Sequence, residues 1–233
     1  MLFSSNLTTA QILAVFAEEV AARGGCITDT FRDDRRLFTR SILPHVEEVR
    51  HGDHVQGGVA LKATPAGVWL YPYLFRLVCR NGAIIAETLE ARSLGDLPQQ
   101  EPDTALQSIR EGIEVCCARE VFMGTVRKMR TACEAEVDLA LALLPLLSRL
   151  STQANAELLA QIMDHFFREG DRSQFGLANA VTAVARDTRD PELRWNLEEF
   201  GGGVAIGIVP RHPADGGPAA TARLGRAPSV AYA

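Results

Sequence analysis

An α+β fold is predicted by three observations on the sequence. Strand-like runs at Val55 to Lys62, Tyr71 to Arg80 and Ala83 to Thr88 follow one another with turn residues between them, the pattern of an antiparallel meander near 54 to 88. Helical segments then succeed one another from Thr104 to Gly203, and one amphipathic helix precedes the strands. The arrangement they describe is a small antiparallel β-meander packed against a larger helical C-terminal part with one long helix. Residues 1–209 read as a single α+β domain, with 1–92 carrying the sheet and 103–209 the helices, and residues 210–233 read as a disordered tail.

The first helix opens at Thr8 or Thr9, repeats apolar residues at Ile12, Leu13, Phe16 and Val20, and stops at Gly24-Gly25. Residues 28 to 50 show only partial periodicity around the charge run Arg32-Asp33-Asp34-Arg35-Arg36, which reads as a short solvated helix. Thr64-Pro65-Ala66-Gly67 fits a type I turn, with Pro second and Gly fourth. Asn81-Gly82 fits a two-residue type I′ hairpin turn, because both central residues of that turn need positive φ. Ser93 to Asp103, with Gly95, Pro98 and Pro102, reads as the connection out of the sheet. Thr104 to Leu147 is helical throughout and would reach on the order of 65 Å if unbroken, so Gly112, Gly124 and Pro145 are candidate bends. Three more helices follow: Ser151 to Glu169, Phe175 to Arg186, and one capped by Asp190-Pro191 that ends at Gly201-Gly202-Gly203. The tail after Pro210 holds Gly, Pro, Ala and Arg without periodicity.

Composition narrows the function classes. A chain of 233 residues with 47% hydrophobic content can build a proper core, and a net charge of −5 leaves nucleic acid to a local basic patch rather than a global field. Five cysteines and an N-terminus without a signal-like apolar stretch fit reduced thiols in a cytoplasm. The most apolar run, Leu139 to Leu147, is about half of the roughly 20 residues that a membrane helix needs. No phosphate loop, dinucleotide fingerprint, nucleophile elbow or zinc-protease signature is present, and no cofactor is expected.

Three stretches carry a family likeness. Arg50-His51-Gly52-Asp53 leads into Val55-Gln56-Gly57-Gly58-Val59, Phe75 to Gly82 forms a distinctive strand and turn, and Phe175 to Ala183 holds an Asn-Ala-Val-Thr core. Together they resemble the phage/plasmid-like protein family, domain of unknown function 932, over about residues 28 to 204. Where such relatives continue into an acidic, histidine-containing turn, this chain has Ala185-Arg186-Asp187, so no metal or general-base role is carried over. The resemblance implies an origin on mobile elements and work on DNA, and single-strand annealing proteins of such elements also combine a small sheet with helices.

The candidate residues follow from burial and charge. Arg76 sits in an apolar strand, free to grip phosphate or paired to Glu87 or Glu90 across the hairpin. Arg80 and Asn81 lie beside it, and Arg127, Lys128 and Arg130 form with Arg119 the densest basic patch, on a helix face that Glu120, Glu134 and Glu136 can neutralise. Trp69, Tyr71, Tyr73 and Phe75 alternate onto one strand face, where rings either stack bases or pack against a helix. Asn179 and Thr182, one helical turn apart, with Arg186 and Asp187, form a polar pocket or a hydrogen-bonded tie between helices. His51, Asp53 and His54 are a poor metal set, since adjacent strand residues point to opposite faces, and Cys116-Cys117 lacks a redox or zinc spacing. Three functions compete: a non-catalytic nucleic-acid-binding protein acting on single strands, an oligomeric or structural interaction protein, and an enzyme with a site of Arg76, Asn81, Asn179 and Asp187 at the sheet-helix junction.

Overall fold

The computed structural model describes residues 7–86, 92–94, 101–147 and 152–207. The expected tail at 210–233, most of the connection after Ser93, and Glu87 and Glu90 lie outside these residues. The fold is α+β. Helix α1 (Thr9–Ala22) is followed by strands β1 (Cys26–Arg32), β2 (Leu37–Ile42), β3 (Val46–Arg50), β4 (Asp53–Thr64), β5 (Gly67–Arg76), β6 (Asn81–Ile84) and β7 (Arg92–Ser93). Then come α2 (Pro102–Cys116), α3 (Arg119–Glu134), α4 (Leu139–Leu147), α5 (Thr152–Glu169), α6 (Gln174–Asp187) and α7 (Pro191–Ala205). No helix among the described residues is long and apolar enough to cross a membrane.

The β4–β5 hairpin is the spine of one antiparallel sheet, in register from Val55↔Arg76 to Thr64↔Gly67 around the expected Pro65-Ala66 turn. The far edge of β4 pairs with β3 over its first half and with β2 over its second, and β1 lies outside β2. The far edge of β5 pairs with β6 and with β7. The meander expected from sequence is therefore present, within a larger sheet.

Residues 28 to 50 form strands rather than a short solvated helix. Both faces of β2 are buried, so its apolar run lacks the alternation that marks a half-buried strand. The charge run is the β1–β2 turn. Asp33 Oδ1 there accepts from the backbone of Arg35 at 2.9 Å and of Arg36 at 2.7 Å, a side-chain turn that stands in for a backbone one.

Asn81 and Gly82 are not a turn but the start of β6, paired with Arg76 and Phe75. The reversal is made by Leu77 to Arg80, and the positive φ falls on Arg80, at 53°. Gly82 is needed for closeness rather than for φ: a Cβ there would lie 1.8 Å from the Tyr73 hydroxyl oxygen.

The expected long helix is three helices, broken at Cys117-Ala118 and again between Glu134 and Leu139. Gly112 and Gly124 lie within α2 and α3, and Pro145 lies within α4. The breaks let two apolar faces reach two cores. Ile109, Ile113 and Cys116 of α2 pack with Ile12, Phe16 and Val20 of α1 on Leu37, Leu61 and Leu70. Phe122, Val126 and Met129 of α3 join Val55, Leu74 and Ala83 and the later helices. Burial pushes the Cys117 thiol up to about 12.

Helix α6 is buried on every side from Phe175 to Ala185, the signature of a central helix. Helix α7 runs through Gly201-Gly202-Gly203 instead of ending there, because it passes against β6: a Cβ on Gly202 would stand 2.0 Å from the Ile84 carbonyl oxygen. Its Leu197, Phe200 and Val204 enter the helical core, while Trp195 joins Phe38, Ala60, Tyr73 and Ile84 on the opposite, outer face of the sheet. Each such fully buried large side chain contributes about 1.5–3 kcal/mol of transfer free energy.

Candidate functional site

Three places hold chemistry-bearing side chains: the two ends of the sheet-helix junction and the outer face of the sheet. At the junction, Arg76 closes β5 and is 9% exposed. Its Nε and Nη2 donate to Asp53 Oδ1 and Oδ2, both at 2.7 Å, and Nη1 lies 3.3 Å from Cys79 Sγ. The partner is thus Asp53, at the start of β4, in a bidentate pair. Arg50 shares that carboxylate at 3.3 Å and also binds Asp171. The Arg76 and Arg50 guanidiniums lie 5.6 and 5.1 Å from the centroid of the Phe175 ring. Burial works against the Arg76 cation, but the Asp53 hydrogen bonds outweigh it and hold its pKa above the ordinary arginine value.

Beside this pair, Asn81 Nδ2 donates to Thr182 Oγ1 at 2.6 Å and to the Asn179 carbonyl at 3.3 Å, tying β6 to α6. Arg76, Asn81, Asn179 and Thr182 line one cavity of about 20 Å³ with Met129, Ala178 and other apolar residues. Arg186 sits at the outer end, donating to the Cys79 carbonyl at 2.7 Å and to both oxygens of Asp187. The hydrogen bond from Arg186 holds the Asp187 carboxyl below the usual range.

The basic patch expected on one long helix is divided. Arg130 donates twice to the Glu48 carbonyl, at 3.1 and 2.6 Å, and reaches Glu47 at 3.5 Å, so it fastens α3 to β3. Arg127 and Lys128 are exposed on α3, and Arg80 is exposed in the β5–β6 turn. These three keep their charges open to solvent, and neither Arg127 nor Lys128 lines the junction cavity.

The outer sheet face carries a cross-strand row, Phe31, Phe38, Lys62 and Trp69, in direct register over β1, β2, β4 and β5. Tyr71, Tyr73 and Phe75 continue along β5 on the same side. Trp195 covers the middle, 5.7 Å from Phe38 and 6.0 Å from Tyr71 between ring centroids. Phe31, Trp69, Tyr71 and Phe75 keep part of their surface open, whereas Tyr73 is buried. Lys62 Nζ lies 5.5 Å from the Phe38 centroid and 5.9 Å from that of Trp69, and Arg36 lies 5.4 Å over Phe31.

Under Trp195 is a second charged group that sequence reasoning missed. Arg40 Nε binds Glu198 Oε2 at 2.5 Å, Arg40 Nη1 binds Asp29 at 3.2 Å, and Arg194 binds Asp29 and Glu198 at 3.0 Å each. The signal was available: Arg40 interrupts Leu37-Phe38-Thr39-Arg40-Ser41-Ile42-Leu43 as Arg76 interrupts its own apolar run, but a helical reading of 28 to 50 hid the likeness.

No group of three or more His, Cys, Asp or Glu able to hold a metal occurs among the described residues. His51 and His54 are exposed while Asp53 is turned inward to the arginines. No protein-family model matches the chain, and comparisons with curated proteins and with solved structures find no match either.

Proposed function

We propose that this is a non-catalytic nucleic-acid-binding protein of mobile-element origin that lays single strands across the outer face of its sheet. Bases stack on Phe31, Trp69, Tyr71 and Phe75, and phosphates meet Arg36 and Lys62 at one end of β5 and Arg80 at the other. The observation that carries this reading is the row of half-open rings interleaved with cations on one sheet face. Trp69 to Phe75 spans about 20 Å of strand, and sheets that bind RNA stack two or three bases on comparable aromatics. The competing anions sit at exposed positions: Glu192 is 3.6 Å from Lys62 and 3.8 Å from Arg36, and Asp33 is 2.8 Å from Arg36, and such surface pairs contribute about 0–1 kcal/mol. The three stretches that resemble the phage/plasmid-like family support the mobile-element origin.

The junction supports an enzyme less well. Its cavity of about 20 Å³ admits a water-sized molecule, whereas substrate pockets run to several hundred Å³, and its charges are already paired.

Titration of Trp69 fluorescence with an oligothymidylate tests the reading, since the other tryptophan, Trp195, is buried. With three phosphates neutralised, the log-log salt slope is expected near −2, and Trp69→Ala should weaken binding by about 1–3 kcal/mol. No binding at low salt and high micromolar protein overturns it. A large oligomer indifferent to oligonucleotides would instead support an interaction protein, for which exposed Leu141, Leu144 and Phe167 are the first residues to probe.

A further inference from the structure

We infer that the cavity at the sheet-helix junction is a specific binding site for one internal water molecule, held between Asn179 Nδ2 and Asn81 Oδ1. Both asparagines are deeply buried, 2% exposed at Asn81 and 5% at Asn179. Both line the same cavity, and these two amide atoms have no hydrogen-bond partner in the protein. A buried polar group without a partner is rare and needs an explanation.

The orientation of the Asn81 amide is fixed by its neighbours. The Asn179 carbonyl can only accept, so the NH₂ of Asn81 must face it. Thr182 Oγ1 donates to the Ala178 carbonyl at 2.9 Å, and it therefore accepts from the same NH₂ at 2.6 Å. Asn81 Oδ1 is left as an acceptor and Asn179 Nδ2 as a donor. The ligand must donate to the first and accept from the second. The other walls include Val55, Leu74, Met129, Ala178 and Ala205, which offer no side-chain hydrogen bond, and Arg76, whose Nε and Nη2 are taken by Asp53. A water needs about 10–15 Å³ and two to four polar partners, and the cavity volume of about 20 Å³ suits one molecule and not two. So placed, the water completes the fastening of β6 to α6 that Asn81 and Thr182 begin.

The test is a water-selective nuclear Overhauser experiment on the native protein, read at the Asn179 side-chain NH₂, with oxygen-17 relaxation dispersion to count long-lived waters. A cross-peak from long-lived water to that NH₂ is expected. Asn179→Leu should lower the count by one, while Met129→Leu, on the apolar wall, should leave both cross-peak and count unchanged. Absence of the cross-peak in the native protein overturns the proposal, as does an unchanged count in a folded Asn179→Leu variant. If that variant does not fold, the native cross-peak decides alone.

Discussion

The two charged groups on opposite faces of the sheet share one composition, two arginines and two acids, with an arginine over an aromatic ring in each. At the junction, Arg76 and Arg50 hold Asp53 and Asp171 over Phe175. On the outer face, Arg40 and Arg194 hold Glu198 and Asp29, and Arg40 lies 5.4 Å from the Trp195 centroid. They differ in access to water. The difference lies in their central pairs and their edges: Arg40 and Glu198 are 2% and 1% exposed in their side chains and Arg76 and Asp53 10% and 6%, while Arg50 at the junction and Asp29 on the outer face are 39% and 37% exposed, and Arg40 Nη2 has no partner. Where water reaches, a lost partner is partly replaced by solvent. Where it does not, removing one partner leaves a buried charge uncompensated. The same chemistry is therefore forgiving at the rim and all-or-nothing inside.

The largest effect should come from Arg40→Met, which leaves the buried Glu198 carboxylate with Arg194 as its one cation and should cost about 3 kcal/mol at neutral pH in denaturant unfolding, the low end for a broken buried pair. Arg40→Met with Glu198→Leu should recover most of that, since an apolar pair needs no compensation. Burial already raises the Glu198 pKa, against the pull of Arg40 and Arg194. For an acid with a raised folded pKa, stability is present below the unfolded value and lost as pH rises through the folded one. The single variant should accordingly regain stability as pH falls toward 4.5, the unperturbed glutamate value. Equal loss at all pH values would show that Glu198 is not the stranded charge.

At the junction, Asp53→Asn removes the charge but keeps the shape beside Arg76, and Arg50 nearby stays open to solvent; it should cost about 2 kcal/mol, on the scale of a hydrogen-bonded charge, and a loss as large as that of Arg40→Met would erase the distinction between the two groups. Asp171→Asn should cost about 1 kcal/mol, because its partner Arg50 is 39% exposed and water can take over part of the contact. Burial alone would raise Asp171, yet the hydrogen bonds from Ser173 and the Arg50 guanidinium outweigh it and hold the carboxyl below the usual range. Its contribution is present above the unfolded value of about 3.9 and lost as pH falls through the folded one. Here the variant's deficit closes in acid because the native protein weakens, the reverse of the Arg40→Met case. Thermal melts of both proteins between pH 7 and pH 2.5 separate the two outcomes. The smallest effect should be Glu192→Gln on oligonucleotide affinity, a gain of about two- to fivefold, in line with a loose surface pair; a decrease would place Glu192 among the contacts.

Legibility followed the range of the determining force. Helix α1 could be read because Thr8 and Gln11 form its capping box locally, with Thr8 Oγ1 3.2 Å from Gln11 N. The β4–β5 hairpin could be read because Pro65 marks its own turn. The β5–β6 turn lies three residues earlier than expected, centred between Val78 and Cys79, because Asn81 is committed to Thr182, 101 positions away, and no local rule reports that. Separation in sequence, here 23 positions, also hid the Asp53–Arg76 pair, whose members were both singled out but for different chemistry. The aromatic alternation on β5 was legible from period alone. Its partial cover by Trp195 was not, since α7 arrives from the other end of the chain.

That arrival has a consequence for the order of assembly during synthesis. Strands β1 to β6 are made first, yet Arg40 meets Glu198 only 158 residues later. Until α7 emerges, the outer face presents Phe38, Tyr71 and Tyr73 together with Arg40, which has Asp29 beside it but not yet Glu198. A ribosome-bound chain cut before Pro191 should therefore hold its sheet as an open, association-prone surface. Release of α7 is the step that converts this surface into the finished protein.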